Sequence, residues 1–200
     1  LLTPDLLARP GRYAARVVAR ERLRLVRRAT PDGAEPPGQD ALHDFRVALR
    51  RLRTWLRAFE PELDDTVGRG TLKRLHRISR RTGGARDLEV QRLWLARPTV
   101  RLGRLASGAA AALAERLAAE EADALERALA LMAEELPRAG SKLDRQLRKY
   151  EVRVPLDADL GEPSMAVALG RLLRAGAVEA RRTLEAVQSP DQVVEAHQAR

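Results

Sequence analysis

Cysteine is absent from the 200 residues, which excludes disulfides and thiolate metal sites and fits a reducing, cytoplasmic compartment. Aromatic residues are almost as scarce: two Trp, two Tyr and two Phe are too few and too dispersed to build the stacking platform of a single-strand binder. Histidine occurs only as His43, His76 and His197, short of the ligand set of a multi-histidine metal hydrolase. No uncharged apolar run approaches the roughly 18 residues that span a bilayer, so no membrane partner is expected. No signal peptide is visible. Phosphate-cradling Gly-x-x-x-x-Gly-Lys-Ser/Thr and Gly-x-Gly-x-x-Gly loops are missing too. Strand signals are weak throughout.

What remains is a chain rich in Ala, Leu and Arg, residues that favour or tolerate helix. Its formal charge is +9, unevenly spread: residues 1–104 hold 24 Lys/Arg against 12 Asp/Glu, and residues 105–200 hold 13 against 16. A polyanion-facing surface therefore belongs mostly to the first half. Lysine occurs only as Lys73, Lys142 and Lys149. The other basic residues are arginines, whose guanidinium forks match phosphate oxygens. GC-rich coding is an equally good source of that bias taken alone.

Periodicity and punctuation give a sequence of helices. A first runs from Arg12 to Arg28, before Pro31-Asp-Gly33 and Pro36-Pro-Gly38. Asp40 caps a second, Ala41 to Phe59, stopped by Pro61. The third covers Thr71 to Thr82 and ends at Gly83-Gly84, read as a C-cap. Asp87 opens a short one through Leu95. A long Ala-rich helix covers Leu102 to Leu136 and is stopped by Pro137. A short helix from Ser141 to Tyr150 and a linker from Pro155 to Pro163 follow. Met165 to Val187 is helical, and Asp191 opens the last helix. The expected fold is all-α: one domain of two antiparallel helical-bundle halves, about 1–136 and about 137–200, with an approximate two-fold internal repeat. The chain does not begin with Met and its last residues read as a helix start, so sequence is expected beyond both ends.

The second helix carries most information. Leu42, Phe45, Leu49, Leu52, Leu56 and Phe59 recur at alternating spacings of three and four, an apolar seam for a bundle. Immediately after five of these come His43, Arg46, Arg50, Arg53 and Arg57. At 100° per residue they occupy an arc of about 80° beside the seam and rise about 5 Å per step. A solvated face would mix signs. Here only Asp44 and Glu60 supply acid, although like charges four apart, such as Arg46 and Arg50, repel. A ligand that compensates the ridge explains it better. Lys73, Arg77, Arg80 and Arg81 repeat the theme on the third helix, and Arg12, Arg16 and Arg20 on the first. Packed side by side, these rows could line one groove.

The stretch His43-Asp-Phe-Arg46-Val-Ala-Leu-Arg50-Arg51-Leu-Arg53 resembles the signature helix of the CHAD domains, the conserved histidine α-helical domains. Gly84-Ala-Arg86-Asp87-Leu-Glu-Val90 is similar to that family's Arg-Asp motif. A second copy of the histidine helix is expected to begin at Glu195-Ala-His197-Gln-Ala-Arg200, with the same His-x-x-Arg spacing. Arg-Arg pairs, Arg27-Arg28 and Arg181-Arg182, stand 16 and 15 residues before each histidine. The sequence ends inside that second helix, leaving half of the expected basic surface unread. The resemblance implies inorganic polyphosphate as partner, held by basic side chains along the helices, with association with polyphosphate granules in some members and no catalytic centre. Sequence-independent nucleic-acid binding is the alternative, since charge alone does not separate two phosphate polymers.

No cofactor, metal or catalytic residue is expected. His43 and Asp44 point about 100° apart on a helix and do not chelate one ion. Glu60, Glu62, Asp64 and Asp65 read as a solvated loop. The expected polyphosphate ligands are His43, Arg46, Arg50, Arg53, Arg57, Lys73, Arg77, Arg80, Arg12, Arg16, Arg20, His197 and Arg200. His43 is in register with the arginines and suits a phosphate hydrogen bond; His76 lacks that support.

Overall fold

The computed structural model describes residues 2–31, 39–63, 66–97, 104–149 and 162–187. These form seven helices: α1 (Pro4–Ala8), α2 (Gly11–Arg28), α3 (Gln39–Ala58), α4 (Glu60–Leu63), α5 (Arg69–Leu95), α6 (Arg104–Arg148) and α7 (Met165–Glu185). Among the described residues the only extended pairing is the isolated bridge between Pro10 and Ser164. The chain divides into two compact units, residues 16–150 and residues 1–15 with 151–200.

In the larger unit the α3 seam is buried in full, from Leu42 to Phe59. Trp55 stacks on Phe59 with ring centroids 4.1 Å apart, and the Arg22 guanidinium of α2 lies 5.3 Å from the Trp55 ring. That contact covers the open face of a buried aromatic with a cation. Leu75 and Ile78 of α5, Leu143 and Leu147 of α6, and Val18, Leu23 and Val26 of α2 are buried as well.

Three local expectations are corrected. The first is Gly83-Gly84, which does not end a helix: α5 passes straight through. Its buried positions, Thr71, Leu75, Ile78, Thr82, Ala85 and Glu89, alternate at four and three across the glycines. A continuous buried seam outweighs the roughly 1 kcal/mol per glycine of lost propensity. The second is Pro137, which lies inside α6. Proline removes a helical donor and costs about 3 kcal/mol. Its ring faces solvent, however, while Met132, Leu136, Ala139, Leu143 and Leu147 continue one buried stripe past it. The third is Glu60–Leu63, a helical turn rather than a solvated loop, because Leu63 is drawn into the core. Asp64 and Asp65 lie outside the described residues, as do most of the expected linker and the helix expected from Asp191.

The smaller unit is built on backbone pairing. The Gly11 N–H donates to the Pro163 carbonyl at 2.9 Å, and the Met165 N–H to the Arg9 carbonyl at 2.8 Å. Glu162 accepts from the Arg12 N–H at 2.9 Å, placing a carboxylate on the open first turn of α2. Ser164 caps α7 by accepting from the Val167 N–H. Met165 and Ala168 are buried, whereas Leu173, Val178 and Leu184 are more than half exposed.

Candidate polyanion-binding groove

Two hydrogen-bonded contacts fix how α3 lies on α5. Arg53 of α3 donates to Ser79 Oγ at 2.7 Å and contacts His76 Nδ1 at 2.7 Å. Arg46, two turns earlier, donates from Nη1 to the carbonyls of Thr82 and Gly83 at 2.8 and 2.9 Å. Earlier on α3 means later on α5, so the helices are antiparallel. The same logic holds for α5 and α6, where Arg77 pairs with Glu135 and Arg92 with Glu121.

Between α3 and α5 lies a groove of about 660 Å³. Arg50, Arg53 and Arg57 line it from α3, Lys73 and His76 from α5, and Glu60 from α4. These positions follow from the period: they are one residue off the buried seam of α3, at its solvent edge where it meets α5. Arg50 and Arg57 are exposed and Arg53 is half-buried. Burial, and then neighbouring Arg57, lowers the pKa of Arg53. Its charge is thus poorly solvated and rewards an incoming anion. A second cleft, of about 830 Å³, lies between α5 and α6. Its basic lining is Arg77, Arg80, Arg81 and Arg127, and His76 lines this cleft too.

The expected ligands divide accordingly. Arg50, Arg53, Arg57 and Lys73 come together in the groove, and Arg77 and Arg80 face the second cleft. Arg46 spends its guanidinium on α5 carbonyls; burial is the main influence lowering its pKa, with Asp87 opposing. His43 is exposed and lines neither cleft. Arg16 is buried and bonded to Thr66 Oγ1, and Arg20 contacts Asp144 at 3.3 Å. Arg12 belongs to the smaller unit. His197 and Arg200 lie outside the described residues. Sequence reasoning passed over His76, yet it touches Arg53 and borders both clefts. The signal was available: His76 is three residues after Lys73 and four before Arg80, on one face of α5.

Among the described residues no cluster of three His, Cys, Asp or Glu could hold a metal ion, and no helix is long and apolar enough to cross a membrane. No curated protein and no solved structure matches the chain. One family model does, over residues 17–200, nearly the whole sequence and all of the groove. By that match, and by the histidine helix that supplies Arg50, Arg53 and Arg57, the chain belongs to the CHAD domain family.

Proposed function

We propose that the domain binds inorganic polyphosphate without transforming it, in the α3–α5 groove. The observation that carries this reading is the convergence of Arg50, Arg53, Arg57 and Lys73 on one groove, with Glu60 as the single acidic lining residue among the described residues. Guanidinium groups spaced along a helix edge suit the regular charges of a linear phosphate polymer. Family membership points to the same ligand. Cleaving a phosphoanhydride also requires a positioned nucleophile or metal, and the groove lining offers charge neutralisation and one imidazole. The reading includes a cytoplasmic location, association with polyphosphate granules, and an internal two-fold repeat in which α7, which carries Arg181-Arg182, is the counterpart of α2.

The test is an affinity titration. Replacing Arg50 and Arg53 together with Ala weakens polyphosphate binding by about tenfold or more, as expected for two charge-assisted contacts, while the melting curve stays cooperative. Binding falls steeply with salt as counterion release dictates. Competition with single-stranded and duplex DNA separates polyphosphate preference from general polyanion binding. Retained affinity in the double variant removes the groove as the site. Shortening of the polymer in the presence of Mg²⁺ removes the non-catalytic reading.

A further inference from the structure

We propose that a small apolar pocket at the Glu60 end of the α3–α5 groove seats the base of a nucleoside 5′-oligophosphate whose phosphates lie in the groove, so that nucleoside triphosphates compete with polyphosphate for this domain. This rests on the groove being the phosphate site.

The pocket encloses about 180 Å³ and shares Leu56, Glu60 and Leu72 with the groove, so the two adjoin. Its apolar lining is Leu56, Leu63, Val67 and Leu72. Leu56 and Leu63 are buried and close it from the core side, while Val67 and Leu72 are half-buried. The chain brings these four together at one corner of the bundle. Leu56 comes from the end of α3, Leu63 from α4 and Leu72 from the first turn of α5. Val67 is held beside them because the Thr66 and Val67 N–H groups both donate to the Leu63 carbonyl, at 2.8 and 3.0 Å. Gly68 lines the pocket without a side chain.

This lining is unsuited to a phosphate, whose oxygens would lose water against aliphatic walls. An aromatic heterocycle loses little there and gains apolar contact. The charged residues of the pocket suit the rest of a nucleoside. Glu60 is exposed and lines both pocket and groove. Toward an inorganic polyanion its carboxylate is only repulsive. Toward a sugar it accepts hydrogen bonds from ribose hydroxyls, the part that acidic residues play in dinucleotide sites. Arg69 is exposed and lines the pocket as well, and a guanidinium stacks on the face of a ring. The phosphates then meet cations at once. Arg57 stands three residues before Glu60, and Lys73 directly follows Leu72; both line the groove. Arg53 is one turn further, about 6 Å along α3. Base, sugar and triphosphate are thus each met by matching side chains in one short stretch.

The experiment measures the affinity of ATP and of tripolyphosphate, without divalent cations, for the wild-type chain and for Val67→Phe and Glu60→Ala variants. The wild type binds ATP at least as tightly as tripolyphosphate, although the ester linkage removes an ionisable oxygen, and ATP displaces long-chain polyphosphate. Val67→Phe fills the pocket and lowers ATP affinity by about tenfold, with tripolyphosphate affinity little changed. Glu60→Ala, at an exposed position, relieves repulsion for both ligands but removes the hydroxyl contact of ATP alone, so preference shifts toward tripolyphosphate. If the wild type binds ATP about tenfold or more weakly than tripolyphosphate, or if both variants leave the ratio of the two affinities unchanged, the pocket is overturned and the groove stays in place. The Arg50→Ala/Arg53→Ala variant tests the groove itself. If it binds both ligands as the wild type does, the groove falls and the pocket falls with it.

Discussion

Arginine rows of similar spacing lie on α2, at Arg12, Arg16 and Arg20, and on α3, at Arg46, Arg50, Arg53 and Arg57. On α2 the buried positions Ala14, Ala15, Val18, Ala19, Leu23 and Val26 sweep a wide arc of about 180° around the helix axis, and Arg16 falls at its edge. That arginine is only 7% exposed and turns inward to Thr66. On α3 the buried seam is narrower, and Arg50 and Arg57 escape it. The width of the apolar arc, more than the spacing of charges, decides whether a basic row holds the protein together or faces a ligand. Even on α3 the row is split: Arg46 braces α5 at Gly83 while Arg50, Arg53 and Arg57 line the groove.

Three variants probe this difference, in descending order of effect. Leu49→Ala removes a fully buried side chain from the α3 seam and destabilises the domain by about 2–5 kcal/mol. A denaturant midpoint equal to wild type would show that the seam does not support the groove. Arg16→Ala strands Thr66 and empties a buried position; it costs about 1–3 kcal/mol and leaves polyphosphate affinity unchanged. The Arg50/Arg53 double variant does the reverse. Should Arg16→Ala weaken binding with stability intact, the two rows do not differ in kind.

Asp144→Asn gives the smallest effect. Burial pushes the Asp144 carboxyl up, but hydrogen bonds from Arg148 and Arg20 outweigh it and hold the pKa below the usual aspartate value. A depressed folded pKa means that the contribution is complete above the unfolded value of about 3.9 and is lost as pH falls through the folded value. The carboxylate is partly exposed, so the variant is less stable at pH 7 by up to about 1 kcal/mol. In thermal melts across pH, the gap to wild type closes at the acid end. A gap that persists there would assign the effect to packing instead of charge.

The helical class and the α3 seam were legible because a 3.6-residue period survives in the bare sequence. The continuity of α5 and α6 was not. Thr71, Thr82, Ala85 and Glu89 occupy buried seam positions without being large apolar residues, so the period fades just where Gly83-Gly84 suggests a stop. Pro137 misled for the same reason: the burial of Leu136 and Leu143 is a tertiary fact that local punctuation does not contain. The basic ridge was legible as a row, but its partition between brace and groove depends on which α5 atoms lie opposite. His76 was overlooked because it was weighed alone and not on the face it shares with Lys73 and Arg80.

Pro137 has a mechanical consequence. With no N–H at that position, the Ala133 carbonyl lacks its helical donor and the ladder of α6 is interrupted. On the C-terminal side, Asp144 and Gln146 are tied to Arg20 and Thr71. On the N-terminal side, no residue from 108 to 127 is buried. A single rod in geometry is therefore not uniform in cooperativity, and amide hydrogens of residues 108–127 exchange through local opening while those after the proline wait for the core to unfold.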